Sequence, residues 1–400
     1  MVKQGYKQTE VGVIPEDWDC VTLLSKCNLL NGLTYSPNDI ANNGLLVLRS
    51  SNVQDNQLCF LDNVYVNLTV DIEKLIQKDD IVVCVRNGSS ALIGKCAKAS
   101  KDYNATFGAF MAVLRGKNND FIFQLLQQGT IQKHISRNSG ATINQITNGD
   151  FKCILVPFPS DTSEAKRIAD ALSDVDGMIS SLEKLVAKKK AVKQGAMQEL
   201  LTGKKRLPGF TEEWKNINLS KESKIKARIG WQGLTTNEYL DSGYAYLVTG
   251  TDFVNGKIDW DNCHYVAKDR FDQDKNIQIK NDDILITKDG SLGKTALVKG
   301  LNKPATLNSG VFVIRPIQDS YDPTFVYYIL SSFVFKDFLD HLSAGSTIIH
   351  LYQKDINKFR FAIPPTIEEQ IAIAAILSDM DNEIEALEQK LDKTRRSSKA

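Results

Sequence analysis

Two long segments of the chain carry apolar residues at the spacing of an amphipathic helix. Asp161 and Thr366 each precede a glutamate by three residues, which is the spacing of a helix capping box. We therefore expect helices over residues 161–203 and 366–400. Within them the apolar positions follow one another at alternating intervals of four and three, forming a helix seam in each segment: Ile168, Leu172, Val175, Ile179, Leu182 and Val186, and then Ile373, Leu377, Met380, Ile384, Leu387 and Leu391.

A seam this narrow is typical of a helix that packs against one partner helix. Each segment is the obvious partner of the other. If a two-fold axis relates the segments across the seam, the helices run antiparallel and form a coiled coil. The alternative is two separate amphipathic helices, each packed on its own domain. The second segment lacks a counterpart of residues 194–203, so we expect it to be the shorter helix.

The two helical segments belong to a longer internal repeat. Residues 140–186 align without a gap to residues 345–391, so that GATI meets GSTI and LSDVD meets LSDMD. A repeat of this length indicates two copies of one structural unit. A single chain with two such copies resembles a covalent dimer with an approximate two-fold axis.

The segments outside the helices alternate short β-branched runs with turn residues. KDDIVVCVRNGS (78–89) matches NDDILITKDGS (281–291), and DIVVCV, FMAVLR, DILIT and GVFVIR predict small mixed sheets. The predicted fold class is α+β. We expect two globular α/β domains, at residues 1–160 and 204–365, separated by the two long antiparallel helices in a pseudo-two-fold repeat.

Composition adds only broad limits. The apolar content of 42% allows real cores, and the net charge of +1 gives little support to nucleic-acid binding. Basic residues nevertheless cluster in residues 184–206, which contain a single acid. The seven cysteines form no CxxC pair, and the polar N-terminus and the lack of a long apolar run predict a cytoplasmic protein with no membrane contact.

Motifs for catalysis and cofactor binding are incomplete. GSLGKT (290–295) resembles the end of a phosphate loop, but Lys288 stands where that loop needs a glycine. A turn between two strands explains this segment and its first copy, GSSALIGKC, better. The scattered histidines suggest no metal site. We expect no catalytic residues, no metal and no cofactor bound by this chain.

The order of these segments resembles the specificity subunits of type I restriction-modification systems. The resemblance covers essentially the whole chain and is strongest in EAKRIADALSDVDGMISSLEKL, its second copy IEEQIAIAAILSDMDNEIEALEQKL, KQGAMQELLTGKKR and RIGWQGLTTNEY. It implies that each globular domain reads one half of a bipartite asymmetric DNA target, while the helices set the spacer and bind two methyltransferase subunits. S-adenosylmethionine, ATP and Mg²⁺ are then implied for partner subunits, and restriction subunits are an open further partner.

Base recognition requires polar donors on turns that can enter the major groove. The polar turns at matched places of the two copies meet this requirement, and lysines suit phosphate contacts. The predicted DNA-binding residues are Arg49, Ser51, Asn52, Arg86, Asn87, Thr249, Thr251, Asp252, Lys288 and Asp289 for bases, and Lys95, Lys188, Lys189, Lys190, Lys193 and Lys294 for phosphates.

A different class of function stays open at this stage. The paired helices could be a non-enzymatic coiled-coil scaffold that holds two protein-binding or sugar-binding domains. A scaffold of this kind would show no preference among DNA sequences, and a specificity subunit would.

Overall fold

The computed structural model describes residues 2–129, 131, 145–230, 233–343 and 350–398. The GATI and GSTI segments of the repeat therefore lie outside the described residues. The chain divides into two compact units, of which unit 1 comprises residues 1–180 and 396–400 and unit 2 comprises residues 181–395. Among the described helices, none has the length and apolar character needed to cross a bilayer.

The helices include two long ones, close to the predicted bounds, and several short ones. They are α1 (Asn119–Gln127), α2 (Asn148–Cys153), α3 (Thr162–Leu200), α4 (Leu219–Glu222), α5 (Lys268–Asp272), α6 (Pro323–Leu330), α7 (Phe333–Ser343), α8 (Gln353–Ile356) and α9 (Ile367–Ser397).

The strands of unit 1 are short and β-branched. They are β1 (Tyr6–Thr9), β2 (Gly12–Pro15), β3 (Trp18–Thr22), β4 (Asn28–Asn31), β5 (Ile40–Ala41), β6 (Leu45–Leu48), β7 (Val53–Gln54), β8 (Gln57–Leu58), β9 (Val64–Val66), β10 (Ile81–Cys84), β11 (Cys96–Lys98), β12 (Ala105–Phe107), β13 (Met111–Arg115) and β14 (Leu155–Pro159). One sheet has the order β11-β10-β13-β4, another the order β12-β6-β9-β5, and β3 pairs with β14.

Unit 2 repeats this arrangement. Its strands are β15 (Lys215–Asn218), β16 (Ser223–Ala227), β17 (Ala245–Val248), β18 (Phe253–Val254), β19 (Lys257–Ile258), β20 (His264–Val266), β21 (Ile284–Thr287), β22 (Thr295–Leu297), β23 (Ala305–Leu307), β24 (Val311–Pro316) and β25 (Arg360–Ile363). The antiparallel sheet β16-β24-β21-β22 corresponds to the first sheet of unit 1, and β15 pairs with β25 as β3 pairs with β14.

The parallel pairing is also repeated. In unit 1, β12 runs parallel to β6, and in unit 2, β23 runs parallel to β17. Because Ala105 pairs with Leu46 and Ala305 pairs with Tyr246, the register is the same at matched residues of the two copies. The described segments thus confirm the predicted mixture of helices and small mixed sheets in two copies.

The paired aspartates of the KDD and NDD motifs have different roles. Asp79 and Asp282 adopt positive φ angles of 67° and 69° in the turn before the central strand. The next residue of each pair is buried and binds an arginine through both carboxylate oxygens. The Asp80 contacts with Arg115 measure 2.7 Å, and the contacts of Asp283 with Arg315 measure 2.6 Å.

The two long helices begin differently from the predicted reciprocal capping boxes. At the first, Asp161 accepts a hydrogen bond from the Ser163 backbone N–H at 2.8 Å, and the Glu164 carboxylate accepts one from the Trp18 indole at 3.3 Å. At the second, the Glu369 carboxylate is buried and binds Arg206 through both oxygens at 2.8 Å. Each glutamate therefore ties its helix to a neighbouring segment.

The boundary between the two compact units lies inside α3, at Ser180 and Ser181. The predicted bounds at 160 and 204, which separate the globular segments from the long helices, stay a prediction. Packing explains where the two units divide. Ala165 and Ala169, near the start of α3, belong to the core of unit 1, whereas Leu200 at its end joins the core of unit 2, together with Leu377 of α9. The seam residues Leu182, Val186, Ile373, Leu377, Ile384 and Leu391 are buried, and Ile168, Leu172, Val175, Ile179, Met380 and Leu387 are half-buried.

Candidate nucleic-acid interface

A capped 3₁₀ turn follows β6 in unit 1, at residues 49–52, and β17 in unit 2, at residues 249–252. In unit 1 the Arg49 backbone N–H donates to the Asn52 side chain at 2.9 Å. In unit 2 the Thr249 backbone N–H donates in the same way to Asp252 at 2.6 Å. The two turns therefore have the same geometry, as expected for matched places of a repeat.

Asn52 and Asp252 are not available to DNA, contrary to the prediction. Both side chains are buried. The Asn52 amide donates to the carbonyls of Cys59 at 2.9 Å and Asp62 at 3.2 Å, so it fixes the loop that follows the turn. Burial raises the pKa of the Asp252 carboxyl, although hydrogen bonds from Thr249 oppose this shift. These residues stabilise the turns, since a buried side chain cannot contact a base edge.

The remaining residues of the capped turns have exposed surface. Arg49 forms an ion pair with Asp62 at 2.9 Å, which occupies one end of its guanidinium. The Ser51 hydroxyl makes no hydrogen bond within the described part of the chain. Thr251 is exposed, and its hydroxyl lies 2.6 Å from that of Thr249. The Ser51 hydroxyl oxygen is itself buried, so Thr251 is the member of these turns whose hydroxyl is placed to contact a ligand directly.

The second candidate turn follows the central strand of the antiparallel sheet in each unit. Taken in order, the predicted residues Arg86 and Asn87 of unit 1 correspond to Lys288 and Asp289 of unit 2. The backbone hydrogen bonds shift this correspondence by one residue. Val85 donates its backbone N–H to Phe110 and accepts from Ile146, and Lys288 donates to Gly310 and accepts from Leu351.

Arg86 and Asp289 are therefore the structural counterparts. Each forms an isolated antiparallel bridge, Arg86 with Gln145 and Asp289 with His350. The same position thus carries a cation in unit 1 and a carboxylate in unit 2.

In unit 1 the two candidate turns are joined by side chains. The Asn87 amide donates to the Ser50 hydroxyl at 3.0 Å, so residues 86–90 and 49–52 form one surface. Lys95 and Ser51 line a shallow depression of about 420 Å³ at this place. The structure therefore brings together Ser51, Asn87 and Lys95, which the sequence analysis had singled out independently.

In unit 2 the corresponding surface has a different chemistry. The Asp289 carboxylate is bonded to the His350 ring, and the Lys288 ammonium lies 5.5 Å from the centre of the Phe312 ring. Lys294 is exposed on the turn between β21 and β22. Since a strand follows GSLGKT where a phosphate loop would lead into a helix, the prediction of a turn between strands is confirmed.

The lysine cluster that is predicted to bind phosphates lies on α3, and three of its four members form ion pairs with acids of α9. Within unit 2, Lys189 pairs with Glu383 and Lys190 with Glu388, both at 2.6 Å. Lys193 pairs with Asp381 at 2.5 Å. Its ammonium also lies 5.3 Å from the centre of the Tyr328 ring. These cations offset acids of the neighbouring helix, and Lys188 is the exposed member that forms no ion pair within the described residues.

Replacing Lys193 by alanine should lower the free energy of unfolding of unit 2 by about 1 kcal/mol, because an ion pair and a cation–aromatic contact are lost together. Lys188→Ala should leave stability within about 0.5 kcal/mol, yet weaken DNA binding and flatten its salt dependence. Urea unfolding and salt-dependent DNA titration check both values. A loss of stability in Lys188→Ala that equals that of Lys193→Ala would contradict this division.

Two side chains of these surfaces were missed by sequence reasoning. Phe110 is 56% exposed and lies beside Arg86, and His350 lies beside Asp289. Neither residue had a usable signal in the sequence. The exposure of Phe110 is seen only in the folded strand, and single exposed apolar residues are ordinary. The partner of His350 lies far away in the sequence.

Two copies of one α+β fold, each with polar turns at matched strand ends, define a duplicated recognition protein. Within the described ranges, no group of three or more His, Cys, Asp or Glu side chains is placed to hold a metal ion. The sequence model of the family described as "Type I restriction modification DNA specificity domain" matches residues 15–194 and again residues 224–394, and the chain belongs to this family. Its function is therefore recognition of DNA sequence as a specificity subunit, with no catalytic role of its own, and the scaffold alternative is not supported.

Individual relatives agree with this family. A Methanocaldococcus jannaschii protein named as the type I restriction enzyme MjaX specificity subunit is 26% identical, over 96% of this chain and 91% of the relative. The EcoKI specificity subunit of Escherichia coli is 23% identical, over 80% of this chain and 73% of the relative. The crystal structure of the type I restriction-modification S subunit from M. genitalium is similar in fold, with a TM-score of 0.64 at 18% identity, over 95% of this chain and 94% of that one.

Proposed function

We propose that each unit reads one half of a bipartite and asymmetric DNA target, and that the two long helices set the spacer between the halves. One observation carries this proposal: the DNA specificity domain matches twice, and the two copies have the same turns with different side chains. Arg86 in unit 1 stands where Asp289 stands in unit 2. A donor and an acceptor at one position select different bases, so the half-sites should differ.

The spacer part of the proposal requires that the helices pair as an antiparallel coiled coil. The ion pairs between α3 and α9 inside unit 2 support this. Across the four pairs the partner numbers fall from one end to the other, from Arg395 opposite Glu183 to Asp381 opposite Lys193, although the neighbours Lys189 and Lys190 pair with Glu383 and Glu388. Leu182, Val186, Ile384 and Leu391 are buried along the apolar seam, as expected when two helices shield each other.

The same helices are proposed to bind two methyltransferase subunits, and restriction subunits are a further proposed partner of the assembly. S-adenosylmethionine, ATP and Mg²⁺ would then belong to these partner subunits. This assembly rests on the resemblance to specificity subunits and on family membership.

For recognition itself, the proposed contacts to bases are Arg86 and Asn87 in unit 1 and Thr251, Lys288 and Asp289 in unit 2. Arg49, Ser51 and Thr249 border these surfaces and are proposed to position them. The proposed phosphate contacts are Lys95, Lys188 and Lys294. The proposal omits Asn52, Asp252, Lys189, Lys190 and Lys193, since burial or ion pairing engages them.

A methylome comparison tests the proposal. In cells that carry the partner methyltransferase, we expect methylation at one two-part motif with unlike halves when this chain is present, and no such motif when it is deleted. A cell with the methyltransferase and a specificity subunit of different sequence is the matched control and should show a different motif. Methylation at the same motif with and without this chain would overturn the proposal.

A further inference from the structure

The surface of unit 1 contains an arginine whose hydrogen-bonding capacity is unused. Arg86 is exposed, and within the described residues its guanidinium forms no hydrogen bond or ion pair. Arg49 and Arg115 of the same unit are paired with Asp62 and Asp80. An arginine with five free N–H donors on an exposed turn can bind a ligand without first breaking a hydrogen bond.

Phe110 determines where this guanidinium lies. The centre of the Phe110 ring is 5.1 Å from the guanidinium carbon of Arg86. The backbones of the two residues are also fixed to each other, because the Phe110 carbonyl accepts hydrogen bonds from Val85 at 3.0 Å and from Arg86 at 3.1 Å. An aromatic ring under a guanidinium restricts its rotation but leaves its donor edge free, and this lowers the entropy that is lost on binding.

Unit 2 has no aromatic ring beside a guanidinium at the same position. Gly310 replaces Phe110, and a Cβ atom added there would lie 3.7 Å from an Asp289 carboxylate oxygen. The carboxylate thus lies next to the place that the ring occupies in unit 1. The supported arginine is therefore particular to the first unit and is not a requirement of the fold, which both units share.

We propose that Arg86, held by Phe110, reads a guanine in the half-site bound by unit 1. This inference rests on the proposed function and assigns one base class within it. A planar fork of two N–H donors matches the O6 and N7 acceptors of guanine in the major groove, and this pairing is the commonest specific contact of arginine with DNA. Phe110 is a positioning residue, since it acts through Arg86.

Methylome sequencing of variants of the full chain, expressed with its partner methyltransferase, tests the inference. Arg86→Ala should reduce discrimination for guanine at one position of one half-site by roughly 10- to 100-fold and leave the other half-site unchanged. Arg86→Lys should lose most of this discrimination, because a lysine retains the charge without the fork. Phe110→Leu should reduce it by roughly 2- to 5-fold, and Phe110→Tyr should restore it.

Lys101→Ala is the matched control, because Lys101 also lies over an aromatic ring of unit 1, that of Tyr103 at 5.4 Å, but away from this turn. Its motif should equal that of the wild type. If Arg86→Ala leaves the motif unchanged, or weakens methylation equally at all sequences as a phosphate contact would, the guanine inference is overturned while the two-part motif still supports the proposed function. A wild-type chain that gives no two-part motif would overturn both.

Discussion

Replacing Arg115 by alanine is expected to lower the free energy of unfolding of unit 1 by about 3–5 kcal/mol, which is a large part of the stability of a typical domain. Asp80 is only 1% exposed, and both of its carboxylate oxygens bind Arg115. Arg115 also donates to the carbonyls of Glu73 and Leu75 at 2.9 and 2.8 Å. Its loss leaves a buried carboxylate and two carbonyls without their partner.

Arg315 has the same role in unit 2, since it binds Asp283 and the carbonyl of Asn276. Arg315→Ala should therefore destabilise unit 2 by a similar amount. Arg49→Ala is the matched control, because the Arg49–Asp62 pair is largely exposed and exposed pairs contribute about 0–1 kcal/mol. Urea unfolding, followed by hydrogen exchange in each unit, measures the three values. Equal effects of Arg49→Ala and Arg115→Ala would contradict a structural role for the buried pair.

This pair also shows what the sequence could and could not predict. The matched KDD and NDD motifs marked the two pairs of aspartates as equivalent positions of the repeat. Sequence alone did not assign the first aspartate to a turn with positive φ and the second to a buried ion pair. That assignment depends on strands that come together only in the folded sheet.

The long helices were the most predictable part, because seven-residue periodicity is a local signal. Their ion pairs were not predictable in the same way. A run of lysines that includes Lys189 and Lys193 is typical of a phosphate-binding patch. Only the positions of Glu383 and Asp381 on α9 show that these two lysines form ion pairs. The partner of a cluster of like-charged side chains cannot be assigned until the residues that face the cluster in the folded protein are known.

The presence of polar turns at these places could be predicted, but their register and their buried side chains could not. Hydrophobic pattern fixes the register of buried strands, yet it leaves a polar turn free to shift by one residue. Hydrogen bonds from Val85 and Lys288 decided that Arg86 corresponds to Asp289. The buried Asn52 amide donates to carbonyls of a loop that extends ten residues further along the chain, as far as Asp62. This contact forms only in the folded protein, so the sequence did not reveal it.

Removing one heptad from each long helix should shorten the preferred spacer of the DNA target by about three base pairs. Seven residues of helix span about 10.5 Å, and base pairs rise about 3.4 Å each. Residues 184–190 of α3 and 384–390 of α9 are suitable for deletion, since Lys190 and Glu388 pair within these segments. A whole heptad keeps the apolar seam in phase, so the helices can still pair.

The measurement is the methylated motif of the deleted chain, and a heptad inserted at the same places is the matched control with the opposite sign. Insertion should lengthen the spacer by about three base pairs. Methylation should be slower in both variants, because three base pairs also rotate the second half-site by roughly a third of a helical turn. Both half-sites should retain their sequences, since the turns around Arg86 and Asp289 are untouched. If deletion and insertion leave the spacer as it is, the helices do not set it, and the distance between half-sites must be fixed by the partner subunits.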